Sequence, residues 1–412
     1  MLLEFTFKNL LSYRDESYFS MEAAKGTKIM NEFPKLNGHR VLKSAIVFGS
    51  NASGKSNLID ALKLMSYVLS SRFRNHTGLL PFPSFAGIEN EPIMLSATIL
   101  KEEIVYRYTI TYSPRKIVFE KLEIKSEDRY EIYFERKGGE YLAVPDDLKI
   151  LVSKTPKESL FLEVAKTFND VHSINVYQWF REDLIDIDTN IGYRHSLMDY
   201  GLMDFGPLKK EKHKNAVLKF MRAADVNIED IVVIDETVKV LNDKAFPEFI
   251  EGHQTRLLLK HRQYDQEGNR LSDFTLDLSQ ESEGTRKLLY LASIILLNKN
   301  RTILIDEFDK SIHFELSHAL LELFNSVESN NQFILTTHQL GLMDFSFKKE
   351  QIYFVERKDD GVSDLYSAYD FSLETNRKDY SYLKRYMDGQ FGATPIILIE
   401  TLKETIKEVD DL

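Results

Sequence analysis

Ala45-Ile46-Val47-Phe48-Gly49-Ser50-Asn51-Ala52-Ser53-Gly54-Lys55-Ser56-Asn57 is the stretch whose reading decides the fold of this chain. Residues Gly49 to Ser56 match the phosphate-loop pattern G-x-x-x-x-G-K-[ST] at every fixed position. The apolar run before the loop predicts a buried strand, and Asn57-Leu58-Ile59-Asp60-Ala61-Leu62 after it predicts a helix, which is the setting the pattern needs. Glycines let such a loop curl so that backbone N–H groups face phosphate oxygens, and the helix N-terminus adds the positive end of its dipole. Gly49, Ser50, Asn51, Ala52, Ser53, Gly54, Lys55, Ser56 and Asn57 are therefore the candidate ATP-binding residues. Lys55 would reach the β- and γ-phosphates, and Ser56 would place its hydroxyl on Mg²⁺, which prefers oxygen ligands. The competing reading, a glycine-rich turn with a chance lysine, does not account for the flanking strand and helix.

Working outward, a second buried strand, Thr302-Ile303-Leu304-Ile305, ends in Asp306-Glu307. Carboxylates at the carboxyl end of a strand stand where α/β sheets place ligands. Asp306 is the candidate Mg²⁺ ligand, acting through water, and Glu307 the candidate catalytic base that orients or deprotonates the attacking water. Taken alone, a solvated strand end with two acids explains them equally well. A third strand, Gln332-Phe333-Ile334-Leu335-Thr336-Thr337, ends in His338, a candidate γ-phosphate contact or simply a strand-capping histidine. Upstream, Glu281-Ser282-Glu283-Gly284-Thr285-Arg286-Lys287 opens an apolar helix, Leu288 to Leu297. A helix start presenting Ser282 and the Gly284 backbone suits an anion, although the same residues also make an ordinary cap.

The chain has 412 residues, 43% of them hydrophobic, which is more than one core usually serves. It has no cysteine, which excludes disulfides and thiolate metal sites and fits a reducing cytoplasm. Met1-Leu2-Leu3-Glu4-Phe5-Thr6-Phe7 alternates like a strand, without the basic and apolar regions of a leader, and no apolar run has membrane-spanning length. The expectation is a cytoplasmic protein with no membrane contact. A formal net charge of −11 argues against a uniformly basic nucleic-acid coat, so any DNA contact is local.

Strand signals recur from Met1 to about Ile124: Ile93–Ile99 and Val105–Tyr112 read as a hairpin, and Ile117–Ile124 and Tyr130–Glu135 continue the meander to a turn at Lys137-Gly138-Gly139. From about Thr155 the spacing becomes helical, at Glu158–Phe168 and Lys214–Met221. The expected organisation is an N-terminal ATPase lobe with phosphate loop and β meander at 1–150, and a helical insertion or lid at 151–235. A C-terminal ATPase lobe follows at 236–380, with a tail at 381–412. Neither internal repeats nor coiled-coil heptads are evident.

In this order, phosphate loop, Ser-x-Gly turn, Asp-Glu strand and His strand, the chain resembles the ABC-class, SMC-like AAA ATP-binding proteins found beside bacterial abortive-infection and restriction-type loci. The ATPase parts of overcoming-lysogenization-defect (OLD) proteins are relatives of that group. The resemblance also covers Phe7–Tyr13, Ser159-Leu160-Phe161-Leu162, Asp306–His313 and Gly389–Pro395. It implies an α/β, ABC/SMC-head-like P-loop ATPase fold with an N-terminal antiparallel β lobe and a helical insertion. It implies ATP and Mg²⁺ as ligands, and a signature turn (Ser282, Glu283, Gly284) that completes the nucleotide site of an opposite subunit, hence a homodimer or higher homo-oligomer. Ser311 and His313 then fall at the subunit interface, with Phe314 where the family often has proline; a structural role for His313 stands beside that reading. The magnesium-coordinating glutamine of that class has no unambiguous match, Gln178 being the nearest candidate. Tyr13, with Ser12 or Arg14, reads as an approach to the nucleotide or as core packing.

OLD proteins carry a nuclease with clustered acids, and no such constellation is evident after His338. The leading expectation is therefore an ATPase that assembles around ATP and acts as sensor and regulator of a separately encoded effector in antiphage defence. Two alternatives stay open: a DNA-repair or DNA-clamp ATPase, and a slow-turnover, ATP-locked scaffold. The run Lys209-Lys210-Glu211-Lys212-His213-Lys214 reads as a local DNA contact or as a solvated helix face, and Glu400 to Leu412 as an amphipathic partner helix or a plain surface helix.

Overall fold

The computed structural model describes residues 1–24, 32–33, 38–69, 79–127, 129–187, 205–241, 249–326, 328–345, 347–371, 381–394 and 399–410. It divides into two compact units, Met1–Glu182 with Ile334–Leu412, and Asp183–Phe333.

In the first unit the chain begins with strands β1 (Leu2–Lys8), β2 (Ser17–Ser20) and β3 (Ser44–Phe48), then helix α1 (Lys55–Val68). A meander follows: β4 (Ile93–Lys101), β5 (Ile104–Ser113), β6 (Lys116–Ser126), β7 (Arg129–Lys137) and β8 (Glu140–Ala143). Helices α2 (Lys149–Val152), α3 (Phe161–Thr167) and α4 (Val171–Gln178) complete this stretch. The second unit holds β9 (Leu184–Ile187), α5 (Glu211–Ala223), β10 (Asp230–Leu241), β11 (Phe249–His261), β12 (Phe274–Asp277), α6 (Glu283–Leu297), β13 (Thr302–Ile305) and α7 (Phe314–Asn325). The unit boundary falls inside β14 (Gln332–Thr336), after which β15 (Ile352–Arg357), β16 (Ser363–Ser367), α8 (Tyr382–Met387) and α9 (Ile399–Asp410) return to the first unit.

Seven strands of the first unit form one antiparallel sheet in the order β2-β1-β4-β5-β6-β7-β8. Alternation drives it: in β5 the residues Tyr106, Tyr108, Ile110 and Tyr112 are buried while Arg107, Thr109, Thr111 and Ser113 are partly exposed. The helical stretch is fastened to this sheet by one carboxylate. Glu120 of β6 is fully buried and accepts from Tyr108 Oη (2.8 Å), Arg136 Nε (2.7 Å) and the backbone N–H groups of Phe161 (2.8 Å) and Leu162 (2.9 Å). It therefore satisfies the otherwise orphan donors at the start of α3. The Ser159–Leu162 motif is this anchor, since the Ser159 carbonyl also accepts from Arg136.

A second sheet of this unit has the order β16-β15-β3-β14, with β15 parallel to β3 and antiparallel to β16. All five residues of β3 are buried, as a strand with neighbours on both sides requires. Against β15 and β16 packs the segment Gly389–Ala393: Phe391 stacks on Phe354 at 4.8 Å, and the Phe391 and Ala393 carbonyls accept from Tyr366 Oη and Tyr386 Oη, each at 2.6 Å. Pro395 lies outside the described residues.

In the second unit β13 pairs in parallel with β9, and Thr302 Oγ1 donates to Gln332 Oε1 at 2.9 Å. A separate antiparallel sheet, β10-β11-β12, carries the chain toward α6. The stretch 151–235 reads as a helical insertion, yet it contains β9. Leu184-Ile185-Asp186-Ile187 is too short to show a period, and its partner β13 lies more than 100 residues downstream, so pairing rather than local pattern makes it a strand. No helix among the described residues is long and apolar enough to cross a membrane.

Candidate nucleotide site

β3 delivers the chain into the phosphate loop at the carboxyl end of a central parallel strand. Gly49 and Gly54 have φ of 156° and 114°. A Cβ on Gly49 would collide with the Val355 carbonyl oxygen and Ser53 Oγ, and one on Gly54 with the hydroxyls of Ser363 and Ser12. Both positions therefore require glycine. The loop's back is braced by neutral groups. Ser363 Oγ lies 2.5 Å from the Ser53 carbonyl oxygen and 2.6 Å from Ser12 Oγ, Asn57 Nδ2 donates to Ser12 Oγ at 2.7 Å, and Tyr13 Oη donates to the Gly54 carbonyl at 3.0 Å. Tyr13 is fully buried against Phe7, and burial pushes its phenol well above the usual range. Its place is behind the loop, in the core.

α1 starts at Lys55 with no acidic residue in its first turn. The Lys55 ammonium is buried and donates to the Gly49 and Ser50 carbonyls at 2.8 and 2.9 Å. Ser56 is exposed at the helix start. Ser53 Oγ is fully buried and has no hydrogen-bond partner, an expensive state unless a ligand supplies one. Glycine-only positions, an anion-ready helix start, a folded-back ammonium and an orphan hydroxyl together fit a phosphate chain. His338 belongs to the same unit. The Thr337 N–H donates to the Val47 carbonyl at 3.2 Å, which sets exposed His338 beside the strand that feeds the loop, and Thr337 Oγ1 accepts from the Gln339 N–H at 3.0 Å to fix the turn. Gln178 ends α4, half-buried.

The remaining residues lie in the second unit. Asp306 and Glu307 follow β13; Asp306 is half-buried and the Glu307 side chain 41% exposed. Ser282 caps α6, its Oγ accepting from the Thr285 N–H at 3.1 Å. Gly284 backs onto the turn after β13, where a Cβ would lie 2.5 Å from the Ser311 carbonyl oxygen. Ser311 Oγ donates to Glu283 Oε2 at 2.8 Å, and Lys310 Nζ stands 3.5 Å from both Glu283 and Glu307. The Ser311 hydrogen bond, with Lys310 nearby, lowers the Glu283 pKa. Burial works against the Lys310 ammonium, but Glu283 and Glu307 hold its pKa above the ordinary value. His313 is 82% exposed, precedes α7 and pairs with Glu315. Ser282, Glu283, Gly284 and Ser311, expected from the sequence as signature and interface residues, are thus brought together within one unit, while His313 stands apart in solvent.

One pair of residues escapes a reading of the sequence. Ser363 and Arg357 of β15–β16 brace the phosphate loop from more than 300 positions away, the latter donating to the Ala52 carbonyl at 3.4 Å, and nothing local marks them. Lys287 does leave a signal, as a charge falling on the apolar face of α6.

Three solved structures are similar to this chain. An SMC head bound to the C-winged helix domain of ScpA is 16% identical over 91% of this chain and 98% of that one, with TM-score 0.41. The SMC head domain from Thermotoga maritima is 14% identical over 89% and 98%, with TM-score 0.39. An SMC head domain with an extended coiled coil, bound to the C-terminal domain of ScpA and derived from Pyrococcus furiosus, is 13% identical over 89% and 96%, with TM-score 0.46. No curated protein matches. The architecture itself is α/β, with a phosphate loop on a central parallel strand and an N-terminal antiparallel sheet. Residues 44–344 match the model of one protein family, and the chain belongs to that family, described as "AAA domain, putative AbiEii toxin, Type IV TA system".

Proposed function

We propose that this protein binds and hydrolyses ATP, assembles with further copies of itself around the nucleotide, and regulates a separately encoded effector in bacterial antiphage defence. The observation that carries the nucleotide reading is the phosphate loop, braced from behind and holding Lys55 and the orphan Ser53 hydroxyl. On ATP binding the loop N–H groups and the Ser53 hydroxyl take phosphate oxygens, and Lys55 exchanges two backbone carbonyls for the β- and γ-phosphates. Ser56 and, through water, Asp306 are the residues assigned to Mg²⁺, which would neutralise phosphate charge. Glu307 takes the proton of the attacking water, and His338 hydrogen-bonds the γ-phosphate. The roles of Asp306, Glu307 and the signature turn rest on motif and family. By the logic of that class, Ser282, Glu283 and Gly284 serve the nucleotide of a second copy, with Ser311 and His313 at the shared interface.

The family description supports a defence setting, although it names a toxin where this reading places toxic chemistry in a partner. The DNA-clamp alternative gains nothing from the basic run. Lys209 pairs with Asp235, and Lys214 with Glu211 and Asp230 at 3.1 Å each, so half of its lysines are already neutralised.

Turnover and solution mass, measured together for wild type and Glu307→Gln with and without duplex DNA, test this. Hydrolysis by wild type and an ATP-dependent dimer or larger assembly of Glu307→Gln are expected. Absence of both would sink the ATPase reading, and robust nuclease activity of the purified chain would overturn the separate-effector reading.

A further inference from the structure

Two strained residues bracket the turn that follows β13. Glu307 has φ 47° and Ser311 φ 61°. Each lies in the left-handed region, which is strained for a residue other than glycine and persists only where the surroundings hold it. Within the turn the Lys310 N–H donates to the Glu307 carbonyl at 2.9 Å and the Ile312 N–H to the Asp309 carbonyl at 3.2 Å. From outside, one side chain reaches both ends. Lys287, in the second turn of α6, is 1% exposed, and its Nζ donates to the Glu307 carbonyl at 2.6 Å and to the Lys310 carbonyl at 3.2 Å.

An ammonium is a costly way to fill this place. Burial lowers its pKa to about 8, against the pull of Asp309, Glu283 and Glu307 and together with the push of Lys310. The helix positions that follow include Leu288, Leu289 and Leu291, and a leucine here would bury without that cost. What a leucine lacks is a donor for two carbonyls. The first turn of α6 presses on the same segment, through Gly284 against the Ser311 carbonyl and Glu283 on the Ser311 hydroxyl.

The geometry points to Lys287 as a positioning residue that clamps the strained turn, fixes the direction of the Glu307 carboxylate and ties it to the signature turn of its own chain. This rests on the ATPase reading for the role of Glu307. Lys287 touches no substrate. Without the clamp, Glu307 relaxes to an ordinary negative φ and its carboxylate swings away from the position it now holds. A misplacement of about 1 Å costs on the order of 100-fold in rate.

Lys287→Met keeps the apolar stem and removes the donor, and Lys287→Arg keeps donors. ATP turnover, ATP KM and amide exchange without nucleotide are compared across wild type and both variants. In Lys287→Met, kcat should fall about 10- to 100-fold with KM nearly unchanged. The Lys310 and Ile312 amides should exchange at least about tenfold faster while those of α1 keep their rates. Lys287→Arg should retain native exchange and most of the turnover. Unaltered exchange at Lys310 and Ile312 in folded Lys287→Met overturns the proposal, as does a rise in KM at constant kcat. If Lys287→Met does not fold, Lys287→Arg decides: native exchange with turnover supports the clamp, and a loosened turn at full turnover overturns it. A wild type without turnover sinks the ATPase reading alone, because exchange still reports on the clamp.

Discussion

At the phosphate loop the bend is held mostly by neutral groups, two glycines, three serines, an asparagine and a tyrosine hydroxyl, with Tyr13 and Ser53 fully buried; Lys55 and Arg357 add charged donors to its carbonyls. At the Glu307 turn an equally unusual backbone is held by charge, through Lys287, Lys310 and Glu283, the latter two in contact with solvent. Neutral buried braces are indifferent to salt and pH. Charged, half-exposed ones respond to both and to the charges of a neighbouring chain. Under the proposed function, the difference suits a loop that keeps one shape for its nucleotide and a turn that answers to a second copy.

The largest expected effect tests the neutral side. Gly54→Ala places a Cβ at φ 114° against Ser363 and Ser12, so the loop must open. ATP affinity should fall at least about 100-fold, roughly 3 kcal/mol, by titration calorimetry. Unchanged affinity would mean that the braced shape is not what binds. Gly284→Ala is its counterpart, driving a methyl into the Ser311 carbonyl. It should lower kcat about 10- to 100-fold while leaving ATP affinity alone, since no phosphate-loop residue moves. Equal losses of binding in both variants would erase the distinction between the two bends.

A smaller effect asks how much one hydroxyl contributes. Ser363→Ala removes the group shared by the Ser53 carbonyl and Ser12 and should cost about 1 kcal/mol of stability and a few-fold in ATP affinity. The deficit should be the same at low and high salt. A salt-dependent deficit would show that the charged donors Lys55 and Arg357, not the neutral braces, set the shape of the loop.

The two bends also differ in how far the sequence displays them. The phosphate loop is contiguous, and Gly49 to Ser56 state their own chemistry, as do the alternating strands of the meander, whose partners are their chain neighbours. Asp306-Glu307 is legible for the same reason, as the end of an apolar run. Ser363 is not, because its meaning comes from a strand pairing that brings β16 to the loop across the whole chain. β9 fails for the same cause. Lys287 lies between these cases: its burial on an apolar helix face is visible in the pattern, but the carbonyls it serves belong to a strained turn that no propensity announces.

The mildest prediction concerns pH and the charged side. Asp277 caps the 3-10 turn that leads into the signature, accepting from the Ser279 hydroxyl at 2.6 Å and amide at 2.9 Å and from Arg256 at 2.7 Å. Those contacts, the serine first, hold its pKa at about 2, below the 3.8 of a free aspartate. A carboxylate whose pKa is depressed in the folded chain stabilises it above the free value, and that stabilisation drains away as pH falls from about 4 to about 2. Asp277→Asn should therefore cost about 1 kcal/mol at pH 7, a shift of a few degrees in Tm, and the gap from wild type should narrow steadily below pH 4. Ser363→Ala, measured beside it, should show a gap that does not change with pH. If the two variants respond alike, the pH-indifference expected of the neutral braces at the loop fails at the level of stability.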